Sequence, residues 1–298
     1  MSIPFPVRLL MGLACVASPV MAAPDAGFAI DKTAVALHWN EPVDPVRVAG
    51  PVYFVGTRGL SAWLITTTEG HILLNSGMPG SGPMIAASIR KLGFRPEDIR
   101  VMIAGHAHVD HVGGHAYLQH ISGAEVAMMA AEVELIQSGG ATDFRYGGVS
   151  DFAFDPVKVD RVLRDGDTVK LGNVVMAARL TPGHTRGTTS WVMKLQEDGR
   201  KLTIAFPDGT GVNPGYRLIK DPSYPGIDED YRRTFHILQA LKPDIWLTPH
   251  PEAANFEAKR ALAAKKGVSG WIDPDGYARW VEAQQMKLVA AEKSEGAW

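Results

Sequence analysis

Three imidazoles and one carboxylate, all able to bind a metal, fall within the six residues His106-Ala107-His108-Val109-Asp110-His111. They follow Arg100-Val101-Met102-Ile103-Ala104-Gly105, an apolar run that reads as a buried strand ending in a glycine. Along an extended segment alternate side chains share a face. His106 and His108 therefore point toward one ion, while Asp110 and His111 begin a turn and face a neighbouring point. Neutral imidazole and carboxylate are ligands that zinc accepts, and a catalytic zinc typically takes three from the protein and leaves one position for water. Two such sites need two further histidines, so the fold must bring distant strand ends to this loop.

Two other stretches have the right form. Thr181-Pro182-Gly183-His184-Thr185 follows an expected strand, and its Pro-Gly turn presents His184 at the strand end. In Thr248-Pro249-His250-Pro251 the histidine follows an apolar strand and is held between two prolines, which restrict its backbone and favour a preorganised ligand. On the residues alone, each is either a ligand or an ordinary loop histidine. His115 and His120 fall on the helix after the cluster, and His38, His71 and His236 read as surface or satisfied core residues.

The HxHxDH pattern resembles the hallmark of the metallo-β-lactamase superfamily, and the likeness runs from about Val52 to about His250. It implies an α/β fold, a four-layer αββα sandwich with the site along one sheet edge. It also implies two Zn²⁺ per chain, one held by His106, His108 and His184, the other by Asp110, His111 and His250, with Asp110 also serving catalysis. Gly59 to Ile65, His71 to Pro79, Asn213 to Leu218 and Thr248 to Pro251 look like the third subclass of metallo-β-lactamases. The other two subclasses use a cysteine ligand, which the mature chain lacks.

The implied activity is hydrolysis of a β-lactam amide by metal-bound hydroxide, with no serine nucleophile. A dizinc lactonase or thioesterase of the same superfamily, or a non-catalytic zinc-binding protein, are the alternatives. Asn75 stands where many members have Asp and can still bond a ligand backbone. Gly209 and Gly211 occupy a region where some relatives place substrate-anchoring serines, so Thr210 and Asn213 are expected to replace them, with Tyr146 and Trp39 as apolar walls. Asp208 reads as a turn residue before glycine in preference to the metal-bridging aspartate of thioesterase and lactonase relatives.

The formal charge of −2 and pI of about 6.6 provide no basic field for nucleic acid, which argues against a nuclease and for a small-molecule substrate. Residues 1–22 read as a signal peptide: Arg8 is the only charge, an apolar run covers Leu9 to Ala17, and Val20-Met21-Ala22 suits cleavage. A soluble periplasmic or secreted protein with no membrane attachment is expected after cleavage, with residues 23–298 forming one domain. Cys15, the only cysteine, lies inside that signal; its alternative reading is a lipid anchor.

Strands are expected at residues 52–57, 62–67, 71–75, 100–104, 126–130, 161–163, 174–180, 188–195, 202–206 and 244–248. Helices are expected at 83–92, 114–121, 131–137, 228–241 and 252–266, with a last one starting at Asp273-Pro274. Residues 138–156 lack periodicity, and the aromatics there are placed to cover a site.

Overall fold

The computed structural model describes Met1 and residues 30–296; the expected signal segment and Cys15 lie outside the described residues. The described chain runs α1 (Ile30–Ala36), β1 (Val46–Ala49), β2 (Val52–Phe54), β3 (Trp63–Thr67), β4 (Gly70–Leu74), α2 (Ser81–Lys91), β5 (Ile99–Ile103), α3 (Val109–Val112), α4 (His115–Ser122), β6 (Glu125–Met129), α5 (Val133–Gln137) and β7 (Arg161–Leu163). It continues through β8 (Thr168–Leu171), β9 (Val174–Leu180), β10 (Thr189–Glu197), β11 (Arg200–Phe206), α6 (Ile227–Leu241), β12 (Ile245–Trp246), α7 (Phe256–Lys266) and α8 (Pro274–Ser294). One sheet has seven strands in the order β1 to β7, the other five in the order β12-β11-β10-β9-β8.

The period of two along each strand builds the layers. Leu64, Leu73, Met102 and Val126 turn outward onto Ile85 and Ile89 of α2 and Leu118 of α4, while Ile65, Ile72, Ile103 and Ala127 turn inward. Met176, Ala178, Trp191, Met193, Ile204 and Phe206 of the second sheet meet that inward set, which makes the buried inter-sheet core. On the far side of the second sheet, Trp246 packs with Phe235 and Leu238 of α6 and with Tyr277 and Val281 of α8. The result is the expected αββα sandwich.

Differences from the sequence reading are local. α1, β1 and β8 were not expected; each is only four to seven residues long and too short to show a period. The expected helix over 252–266 is interrupted, because Asn255 is left-handed (φ 51°) and separates a short turn at Pro251–Ala254 from α7. α8 starts as expected. Asp273 accepts a 2.9 Å hydrogen bond from the Gly276 N–H, a cap that stabilises a helix by about 1 kcal/mol.

Candidate metal centre

The ligand-bearing loop leaves the sandwich where β5 ends, and both sheets hold it there. Trp191 Nε1 donates to the Ala104 carbonyl at 2.9 Å, and the Thr189 N–H to the Gly105 carbonyl at 2.7 Å. Asn75, left-handed at φ 63°, accepts the Gly105 N–H on Oδ1 at 2.9 Å. An amide oxygen performs that task without a charge. His108 is still extended (φ −86°, ψ 157°) and caps the short α3, which carries Asp110 and His111. His184 arrives on the turn between β9 and β10, and His250 follows β12.

The donor atoms of His106, His108 and His184 lie within 4.8 Å of one another, and so do those of His106, Asp110 and His111. His108 Nδ1 is 3.1 Å from His184 Nε2. Asp110 Oδ2 stands 3.7 Å from His111 Nε2 and 3.5 Å from His250 Nε2, so the second set gathers around one carboxylate oxygen. His106 Nε2 is buried with no hydrogen-bond partner, a costly state for a ring nitrogen unless a cation takes its lone pair. The donors fit zinc: nitrogen and oxygen, no thiolate, in sets of three.

Behind the imidazoles stand acceptors that fix their orientation. His184 Nδ1 faces the Gly211 carbonyl at 2.7 Å, and the Tyr216 hydroxyl donates to the His184 carbonyl at 2.8 Å. His108 Nε2 faces Asp143 Oδ2 at 3.1 Å, while Asp143 Oδ1 accepts the Arg145 and Tyr146 N–H groups at 2.7 and 2.6 Å. Asp143 escaped the sequence reading because its loop has no period, and its value lies in a contact with a residue 35 positions away.

Asp208 requires a correction. It does shape the expected turn, accepting the Gly209 N–H on Oδ1 at 2.7 Å, with Gly209 at φ 92°. Its Oδ2, however, faces His106 Nδ1 at 3.0 Å and lies 3.7 Å from His111 Nδ1. The carboxylate thus sits behind the rings, not among the atoms that converge in front of them. Gly105 makes this possible, since a Cβ there would collide with Asp208 Oδ2.

Burial drives the His106 and His111 imidazoles well below their ordinary pKa and lowers His184 to about 4, which keeps these rings neutral and able to bind a metal. For His108 burial acts in the same direction, but the Asp143 carboxylate, together with Asp110 and Glu132, outweighs it and raises the ring. Burial would raise the Asp110 carboxyl, yet His111, His250, His106 and His108 around it hold it below its usual range.

An open cleft of about 360 Å³ lies over the cluster, lined by the imidazoles and also by Trp39, Thr210 and Asn213. The Trp39 ring is 5.2 Å from that of His250. Tyr146, expected as a second wall, is 3% exposed and stacks at 3.9 Å behind Phe152, which forms the wall in its place. Trp280, Gln284 and Lys287 of α8 also line the cleft. The sequence reading missed them because α8 is far along the chain and carries no motif.

The family model of the metallo-beta-lactamase superfamily matches residues 55–197. Native FEZ-1 metallo-beta-lactamase from Legionella gormanii is 38% identical with a TM-score of 0.83, covering 86% of this chain and 98% of that one. BJP-1, a subclass B3 metallo-beta-lactamase of Bradyrhizobium japonicum, is 34% identical with a TM-score of 0.83, covering 89% and 98%. A hydroxyacylglutathione hydrolase of Rhodopseudomonas palustris is 28% identical over 72% of this chain and 68% of that protein. Against a further curated relative, 34% identical, the match spans 49% of that protein's length.

Proposed function

Because the chain belongs to the metallo-β-lactamase superfamily of hydrolases, we propose that it is a two-zinc β-lactamase of the B3 kind. The observation that carries this reading is the convergence of His106, His108 and His184, and beside them Asp110, His111 and His250, without any cysteine, at the floor of one cleft. The first three residues would hold one zinc and the second three the other. When bound, zinc supplies Lewis acidity, polarising a carbonyl and acidifying water.

The chain's own residues supply position and polarity. Trp39 and Phe152 give the cleft apolar surface, and Thr210 and Asn213 offer it an O–H and an amide, which would donate to a substrate carboxylate. Among the described residues Lys287 is the only lysine or arginine lining the cleft, which Glu252 also lines, and its charge would favour anionic substrates. Asp110, held ionised, gathers the second ligand set.

The likeness to a hydroxyacylglutathione hydrolase favours thioester hydrolysis as the second reading. Against it, Asp208 stands behind His106 and not among the converging ligand atoms, whereas a bridging aspartate would stand among them. Turnover of a carbapenem, an acyl-homoserine lactone and a glutathione thioester, each with and without added zinc, separates the readings. Preference for either of the last two substrates rejects the β-lactamase reading, and binding without turnover of any would favour a non-catalytic zinc protein.

Export to the periplasm belongs to the same proposal, since β-lactams are destroyed there before they reach the cell-wall enzymes. Its support is the pattern of residues 1–22. Among the described residues no helix is long and apolar enough to cross a membrane. N-terminal sequencing of the mature protein is expected to start near Ala23 or Pro24; a chain starting at Met1, or a lipidated Cys15, would refute it.

A further inference from the structure

Glu132 is 1% exposed, lies in the short turn before α5, and belongs to neither ligand set. Its Oε2 accepts the Ala107 N–H at 2.7 Å and its Oε1 accepts the Gly187 N–H at 2.9 Å. Thr185 adds a side-chain hydrogen bond. Ala107 sits between His106 and His108, and Thr185 and Gly187 belong to the turn that carries His184. One carboxylate therefore spans the two segments that carry all three residues of the first ligand set.

None of its hydrogen bonds goes to the segments that carry Asp110, His111 or His250. Gly187 is built for this approach: a Cβ there would lie 2.6 Å from Glu132 Cγ and 2.9 Å from the Glu132 backbone nitrogen. Burying a carboxylate is costly unless every lone-pair direction finds a donor, and here the donors come from both ligand segments at once.

We propose that Glu132 is a positioning residue that preorganises the first metal site and not the second, by clamping the His106–His108 loop to the His184 turn. The proposal rests on the reading that His106, His108 and His184 hold an ion. Glutamine tests it with the least change in shape, because it keeps one acceptor but sets an NH₂ group against one of the two backbone N–H donors. Acceptors that orient ligands typically change metal affinity by about 10- to 100-fold.

The experiment measures zinc affinity by chelator competition on the full chain, in two backgrounds that each retain one ligand set: Asp110→Ala for the first and His184→Ala for the second. Glu132→Gln is expected to weaken zinc binding at least tenfold in the first background and less than threefold in the second, with the metal-free melting temperature of each pair alike. Gly187→Ala displaces the same carboxylate without altering it and should show the same selectivity, which decides the question if Glu132→Gln does not fold. Equal losses in both backgrounds, or none in the first, overturn the clamp. Failure of the Asp110→Ala protein to bind zinc at all would instead remove the metal site on which the clamp depends, and the clamp with it.

Discussion

Asp208 Oδ2 faces His106 Nδ1 at 3.0 Å, and the space for that contact exists only because residue 105 is glycine. The pairing fixes which nitrogen of His106 carries the proton and leaves Nε2, buried and without a partner, directed at the cluster. Removing the carboxylate frees the ring to rotate or to take the wrong tautomer. Asp208→Ala is expected to lower zinc affinity about 10- to 100-fold, a loss read by chelator competition on a protein whose circular dichroism is unchanged. Wild-type affinity in that variant would show that Asp208 serves only the turn at Gly209.

Asp110 is the one carboxylate among the second set of donors, and His111 and His250 approach the same oxygen. Asp110, His111 and His250 would hold a cation, which when bound would supply positive charge for the negative charge that develops on the nitrogen as a lactam opens. If the two ligand sets each hold a zinc, as proposed, Asp110→Ala is expected to bind one zinc fewer than the native protein and to lose on the order of 10²-fold or more in kcat. Metal analysis and steady-state rates together decide; one zinc with full kcat would make the second site dispensable.

Asn213 and Lys287 both line the cleft and offer it different chemistry. Asn213→Ala removes an amide and is expected to cost about 1 to 3 kcal/mol in kcat/KM. Lys287→Glu should raise KM for anionic β-lactams and leave an uncharged ester analogue little affected, with the difference shrinking as salt is added. An unchanged specificity constant across several β-lactams would remove Asn213 from recognition, and an equal loss on the ester would show that Lys287 acts through packing.

What could be read from the sequence, and what could not, divides by distance along the chain. The His106–His111 cluster stands out locally, at the end of an apolar strand beside glycine, whereas His184 and His250 read as ligands only through the resemblance, since on their own residues either could be a loop histidine. The strands of both sheets, β1 and β8 excepted, were legible from their apolar runs. Glu132, Asp143 and Asp208 look like ordinary turn or loop acids, and they acquire meaning only from partners 25 to 102 positions away. Tyr146 was misplaced by one layer, because an aperiodic loop does not reveal which of its aromatics faces outward.

His115 allows a test of fold energetics apart from the cleft. It opens α4, is fully buried, and its Nδ1 meets the Ser76 hydroxyl at 2.6 Å. Burial lowers it to about 3 from an ordinary 6.5, so the folded chain keeps the ring neutral where the unfolded chain protonates it. The unfolded state then binds the extra proton between these values. The contribution of His115 is therefore complete above pH 6.5 and declines as pH falls toward 3, by about 1.4 kcal/mol per unit well inside that window. Urea unfolding of the metal-free protein at pH 7, 6 and 5 should show the native chain losing stability faster than His115→Asn, which has no proton to take up. Parallel losses would mean that His115 titrates alike in both states, and that the acid sensitivity of the fold comes from other groups.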